Sequence, residues 1–82
     1  MDGWLTDPKG YWSARFHRDL SHKWIHDQRV LVDHGRTMPD GEPPLLKSRR
    51  HLRHEDAQML WRELISFGWQ QSEPQWGEGA EP

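Results

Sequence analysis

The chain has 82 residues, a length that allows one small domain with a single hydrophobic core. It contains no cysteine, which excludes disulfides, thiolate metal sites and cysteine nucleophiles. A formal net charge of −2 gives no overall attraction to nucleic acids or membranes, and no apolar run reaches the roughly 20 residues that span a bilayer. Because the first ten residues lack the apolar core of a signal peptide, we expect a cytoplasmic protein.

The first part of the chain predicts a β-hairpin. Gly3–Thr6 is a short extended segment, and Asp7–Gly10 contains the proline and the glycine of a tight turn. Tyr11–Arg18 then alternates between apolar and polar residues, which is typical of a strand with one buried face. The apolar residues that share this face are Trp12, Ala14 and Phe16.

The middle of the chain predicts two more extended segments with a loop between them. Residues 19–28 fit either a loop or a loop with one helical turn. Arg29–Asp33 is rich in β-branched residues and predicts a strand. Arg36–Pro44 predicts a loop because it contains three prolines and a glycine. Leu45–Leu52 mixes apolar and basic residues, a pattern typical of an edge strand that is protected by charge.

The segment Arg53–Trp69 predicts an amphipathic helix around which the rest of the chain is organised. Its apolar residues recur at the spacing of one helix face: Ala57, Leu60, Trp61 and Leu64. Gly68 follows the last of these residues and predicts the helix end, because glycine adopts the left-handed cap conformation without strain.

The end of the chain predicts one last strand and a tail. Trp69–Trp76 is read as a short strand broken near Pro74, and residues 77–82 as a disordered tail. Residues 1–76 are therefore expected to form a single α+β domain. We expect a small, mainly antiparallel sheet of about three to five short strands, with one amphipathic helix packed on one face.

Large aromatic residues are expected to supply much of the core, because only 33% of the chain is hydrophobic. A buried tryptophan removes about 150–250 Å² from water. Trp12 and Trp61 lie on the predicted apolar faces and are expected to be buried. The chain contains six tryptophans in all: Trp4, Trp12, Trp24, Trp61, Trp69 and Trp76.

Several short motifs distributed along the chain resemble a known family. They are Gly3-Trp4-Leu5, Arg15-Phe16, Leu46-Lys47-Ser48-Arg49, Ala57, Leu60-Trp61, Leu64, Gly68-Trp69, Pro74 and Trp76. With them the chain resembles a family of small uncharacterised proteins from marine unicellular cyanobacteria, a domain of unknown function. The resemblance covers nearly the whole chain except residues 19–28 and the tail. The resemblance implies a cyanobacterial cytosolic protein. No activity is assigned to the family, so the resemblance identifies no catalytic or binding residues in this chain.

The histidines raise the question of a metal site. His22 and His26 are four residues apart, and His51 and His54 are three apart and followed by two acids. Zinc takes three or four ligands in a fixed geometry, and no HExxH or paired Cys/His motif is present. We therefore expect exposed histidines and no metal. Without a nucleophile motif or a glycine-rich phosphate loop, we also expect no cofactor and no enzymatic activity.

A basic segment is the candidate binding site. The stretch 47–54 contains two histidines and no acid, and its cations are Lys47, Arg49, Arg50 and Arg53. Arginine binds carboxylate or phosphate through a two-pronged fork. If the segment is extended, alternation places Lys47 and Arg49 on one face and Arg50 on the other. The same charges could serve only to keep an edge strand soluble.

Two functions remain for this sequence, whose activity is unknown. The first is a small non-enzymatic protein-binding module, accessory or regulatory, whose basic segment binds an acidic protein surface. The alternative is a nucleic-acid-binding protein that uses segment 47–53 with exposed tryptophans, because basic residues interleaved with aromatics bind single strands. The net negative charge of the chain favours the protein partner, since the whole molecule gains little from a phosphate field. No membrane partner is expected.

Overall fold

The computed structural model describes residues 1–20 and 28–77, which form a five-stranded sheet and one α-helix. The predicted α+β fold is confirmed. In chain order the elements are β1 (Gly3–Thr6), β2 (Trp12–Arg18), β3 (Arg29–Arg36), β4 (Leu45–Arg53), α1 (His54–Ser66) and β5 (Gln70–Gln71).

The sheet has the strand order β4-β3-β2-β1-β5, and all neighbouring strands are antiparallel. Strands β1 to β4 follow one another as a meander. The chain then leaves β4 directly into α1, which carries it back across one face of the sheet to β5 at the opposite edge. Strand β4 is therefore an outer strand along its whole length, as its sequence predicted.

The core lies between α1 and the three central strands. Five strand residues and one helix residue are fully buried there: Leu5, Ala14, Phe16, Val30, Val32 and Ala57. The strand register explains this grouping, because directly opposite residues share a face and Leu5 pairs with Ala14 while Phe16 pairs with Val32. Leu60, Trp61 and Leu64 of the predicted helix stripe pack around this centre and are partly buried.

The expectation that Trp12 and Trp61 are buried was wrong. Every tryptophan of the described residues is only half-buried, and aliphatic residues and Phe16 fill the centre of the core. The ring of Trp61 instead packs edge-on against Phe16, with 5.0 Å between the ring centroids. The 13-residue helix does not cover the Trp61 ring completely, so this ring lies at the rim of the interface between helix and sheet.

The predicted turn and the predicted helix end are both present. In the β1–β2 turn the Gly10 amide donates to the Asp7 carbonyl at 3.0 Å, and Gly10 has a φ of +75°. At the helix end Gly68 has a φ of +94°. Its amide donates to the Ile65 carbonyl at 3.0 Å, and the Trp69 amide donates to the Leu64 carbonyl at 3.0 Å. This pair of bonds is the Schellman motif that a glycine at this position favours.

Several assignments differ from the sequence prediction, and the helix spans His54–Ser66 instead of Arg53–Trp69. Strand β3 continues to Arg36, beyond the predicted end at Asp33, because it is paired on both sides by β2 and β4. The predicted loop contains a short 3-10 turn at Pro39–Gly41. The last strand is only Gln70–Gln71. The predictions for residues 21–27 and 78–82 fall outside the described residues.

We expect Phe16 to contribute more to stability than Trp61. Phe16→Ala empties a fully buried site at the centre of the core and should cost about 3–5 kcal/mol of unfolding free energy. Trp61→Ala removes a half-buried ring and should cost less. Urea denaturation followed by circular dichroism measures both costs. A larger loss for Trp61→Ala would place the centre of the core under the indole ring instead.

Candidate functional site

The sheet has one face covered by α1 and a second face, here called the open face, that carries polar side chains. The strand register places one acid between two cations in a row across the sheet. The row consists of Arg15 of β2, Asp33 of β3 and Arg49 of β4. The next row contains His17, Leu31 and His51. Ionisable residues that are distant in sequence are therefore neighbours at this end of the open face.

Asp33 is the centre of this cluster, and its side chain is only 1% exposed. Arg49 binds it with both prongs of the guanidinium: Nε donates to Oδ1 at 2.7 Å and Nη2 donates to Oδ2 at 2.9 Å. The Nε2 atom of His17 lies 2.8 Å from Oδ2 and forms a further hydrogen bond. A buried carboxylate is stable only when it is paired and hydrogen-bonded, and here both conditions are met.

The surroundings of Asp33 also set its ionisation. Burial by itself would raise the pKa of Asp33, but the hydrogen bonds from Arg49 and His17 outweigh burial and hold the pKa below its usual value. Asp33 is therefore ionised at neutral pH. Arg49 neutralises this carboxylate and therefore stabilises the sheet, whether or not Arg49 also contacts a binding partner.

The other end of the open face is covered by residues 72–77, here called the C-terminal segment. Its Ser72 amide donates to the Trp4 carbonyl at 3.0 Å, and Thr6 Oγ1 donates to Ser72 Oγ at 2.8 Å. The Trp76 ring packs edge-on against Trp4, with centroids 4.4 Å apart. It also lies so close to Gly35 that an added Cβ would be 2.7 Å from its Cζ3 atom. Glycine at position 35 therefore makes room for the indole ring.

Strand β4 contains a β-bulge that changes which residues face outward. His34 pairs with Ser48 but Gly35 pairs with Leu46, so Lys47 is the extra residue. Without the bulge, Leu46 would alternate onto the face covered by the helix. With it, Leu46 lies on the open face beside Gly35 and Trp76.

The four basic residues predicted as a binding site do not form one patch. Arg49 and Arg53 lie on the open face, Arg50 lies on the face covered by α1, and Lys47 is at the bulge. Arg49 is half-buried in its pair with Asp33, whereas the other three are exposed. Sequence reasoning missed that Arg49 and His17 both bind Asp33, because their proximity depends on the register of three strands and no local signal reports it.

Two concave regions lie beside β4. The larger, here called the proline cleft, has a volume of about 960 Å³ and is lined mainly by apolar residues: Met38, Pro43, Pro44, Leu45, Leu46 and Trp76. The smaller, here called the helix groove, has about 340 Å³ and lies between β4 and α1. It is lined by Arg50, Leu52, Asp56, Met59, Leu60 and Glu63.

The described aromatic side chains offer few free ring faces. Trp4 is contacted by Trp76 and by the Arg15 guanidinium, whose carbon lies 5.6 Å from the ring centroid. The exposed aromatics are Tyr11 in the first turn and Phe67 after the helix, and neither belongs to β4. In the described residues, the basic segment is therefore not interleaved with exposed tryptophans.

The histidines bear on a metal site, and the helix bears on insertion into a membrane. Within residues 1–20 and 28–77, no three His, Asp or Glu side chains are grouped so that they could hold a metal ion. His22 and His26 lie outside the described residues. The Nε2 atom of His51 lies 3.7 Å from Oδ2 of Asp19. The helix of the described part is neither long nor apolar enough to cross a membrane.

Comparison with known proteins identifies a family without an activity. The family model described as "Protein of unknown function (DUF1651)" matches residues 2–76, a range that includes every strand and the helix. No curated protein and no solved structure matches the chain. The function is therefore unknown, and any assignment starts from the surfaces described above.

We expect Arg49 to be essential for stability. Arg49→Gln would leave the Asp33 carboxylate buried without its cation, which should cost about 3–5 kcal/mol. The double variant Asp33→Asn with Arg49→Gln removes both charges and should recover much of this loss. Urea denaturation at neutral pH measures both variants beside wild type. If Arg49→Gln alone is as stable as wild type, the pair does not stabilise the sheet.

The lowered pKa of Asp33 also predicts a pH dependence. Because this pKa is lower in the folded than in the unfolded protein, the pair stabilises fully above about pH 4 and loses its effect as pH falls through the folded value. Asp33→Asn should therefore flatten the loss of stability below about pH 4. Urea midpoints between about pH 2 and pH 7 test this, and an unchanged acid slope would contradict it.

Proposed function

Because the chain belongs to the DUF1651 family of unknown function, as its match over residues 2–76 shows, we propose a role from its surfaces. It is a small, non-enzymatic binding module that acts as an accessory or regulatory factor of a larger assembly. Its partner is a protein with an acidic segment, which binds by adding a strand to the outer edge of β4. The resemblance noted in the sequence supports a cyanobacterial, cytoplasmic setting for this role.

The observation that carries the proposal is the position of β4. It is nine residues long, longer than the typical five or six, and it is the last strand of the sheet. No strand in the described part of the chain pairs with its outer side. An exposed edge presents a row of backbone donors and acceptors to which an extended segment can bind.

The charges around this edge support an acidic partner. Lys47, Arg50 and Arg53 are exposed, and none of them makes an ion pair with another described residue. A partner strand added to β4 would have Arg53 within reach on the open face and Arg50 within reach on the face covered by α1, with Lys47 at the bulge between them. Charge complementarity of this kind steers partners and selects among them.

Binding of nucleic acid has less support from the geometry. Base stacking needs exposed aromatic faces beside the cations, whereas the described tryptophans are half-buried. The cations are also divided between two faces of the sheet instead of following one groove. Catalysis has no support from Asp33 either, because this carboxylate, the most buried ionisable group in the described part of the chain, is already neutralised by Arg49.

The experiment compares two triple variants that remove equal charge. Lys47→Ser, Arg50→Ser and Arg53→Ser remove the exposed cations of β4 and keep Arg49, which Asp33 requires. Lys9→Ser, Arg18→Ser and Arg62→Ser are the control, because these exposed cations lie on other elements. Each tagged protein is used to capture partners from the cells of its source, with and without nuclease.

We expect the β4 variant to lose the acidic proteins that wild type and the control variant both retain. Both variants should melt cooperatively, since only exposed side chains are changed. Two results would overturn the proposal: the β4 variant captures the same proteins as wild type, or nuclease alone abolishes capture. The second result would assign the basic segment to nucleic acid.

A further inference from the structure

We propose that the segment which joins β4 alternates acidic residues with apolar ones and ends, at its carboxyl end, in one large apolar residue. This end residue enters the proline cleft while the rest of the segment runs antiparallel to β4. The inference rests on the proposed function and specifies the partner of the same edge.

The chemistry of the β4 edge changes along its length, and the bulge at Lys47 is the boundary. After the bulge, the open face presents Arg49, His51 and Arg53. Before it, the open face presents Leu46, next to the ring of Trp76. One bound strand would therefore meet cations at one end and apolar surface at the other.

The proline cleft is suited to an uncharged side chain. Its volume of about 960 Å³ falls within the range of sites that hold small ligands or anchoring side chains. Leu45, the first residue of β4, is 46% exposed at its wall. Glu42 also lines the cleft and would repel an acidic side chain there. A large apolar residue at this end of the partner fits both the shape and the charge.

The helix groove defines the other face of the bound strand. Met59 is 63% exposed beside Leu52, which gives this groove an apolar floor at the edge of β4. Arg50 shares the groove with Asp56 and Glu63, so two acids offset its charge. The excess of positive charge lies on the open face. The partner should therefore alternate, with acidic residues over the open face and apolar residues over the helix groove.

A second copy of this chain is a poor occupant of the same edge. Full-length antiparallel pairing of two β4 strands would place Arg49 of one copy directly opposite Arg49 of the other, and directly opposed like charges destabilise a sheet. An acidic segment from a different protein meets no such penalty.

The direction of the bound strand follows from the sheet. All four strand pairs are antiparallel, and antiparallel pairing is slightly more stable per residue than parallel pairing. Because β4 begins at the proline cleft, an antiparallel partner ends there. Its apolar anchor is therefore at its carboxyl end.

Three synthetic peptides test the inference, each as long as the nine residues of β4. All alternate glutamate and valine. The first ends in phenylalanine at the carboxyl end, the second begins with that phenylalanine at the amino end, and the third has serine in its place at the carboxyl end. Fluorescence anisotropy measures their affinity for wild type, for the β4 triple variant, for Leu45→Ser and for Leu20→Ser. Leu20 is 80% exposed and lies outside β4, so it is the matched control.

We expect the first peptide to bind wild type about tenfold more tightly than either of the others. Leu45→Ser should weaken the first peptide to the level of the serine peptide, and Leu20→Ser should not. The β4 triple variant should weaken all three peptides. Exchange of the β4 amide hydrogens should slow in the complex, as strand addition requires.

The failures of the two proposals are distinguishable. If wild type binds none of the acidic peptides, the proposed function is wrong. If wild type binds all three equally and Leu45→Ser has no effect, acidic strand binding stands and the anchor in the proline cleft is wrong. If the peptide with amino-terminal phenylalanine binds most tightly, the strand is parallel and the inferred direction is overturned.

Discussion

The buried carboxylate of Asp33 is the constraint on which the arrangement of the sheet depends. It lies on the central strand β3 and binds His17 of β2 and Arg49 of β4, so one residue connects three neighbouring strands. An unpaired charge at this site would be costly, and any slip of β4 by one residue would turn Arg49 to the other face. The pair thus fixes the register of the edge strand, and with it the positions of the exposed cations.

The sequence predicted those parts of the fold that local chemistry determines. The turn at Asp7–Gly10, the helix stripe and the Schellman end at Gly68 each depend on residues close in the chain, and each was confirmed. The bulge in β4 and the partners of Asp33 could not be predicted, because they depend on which strands become neighbours. The tryptophans were misplaced for a related reason: composition reports large apolar area but not whether a single helix can cover it.

The basic segment shows how similar residues acquire different tasks from the fold. In the sequence, Lys47, Arg49, Arg50 and Arg53 form one run of positive charge. In the structure, Arg49 neutralises a buried acid, Arg50 lies beside two acids of the helix, and the others surround the open edge. A count of charges along the sequence therefore overstated how many of these cations share one surface.

The contact between Gly35 and Trp76 has a consequence for how this chain can diverge. The ring of Trp76 fills the space that a side chain at position 35 would need, since a methyl group there would overlap the indole ring. A substitution at one position therefore changes which residues are tolerated at the other. Among relatives, we expect the two positions to covary: a side chain at 35 should accompany a smaller residue at 76. Trp4, whose ring contacts Trp76, should then vary with them as a third member of the same set.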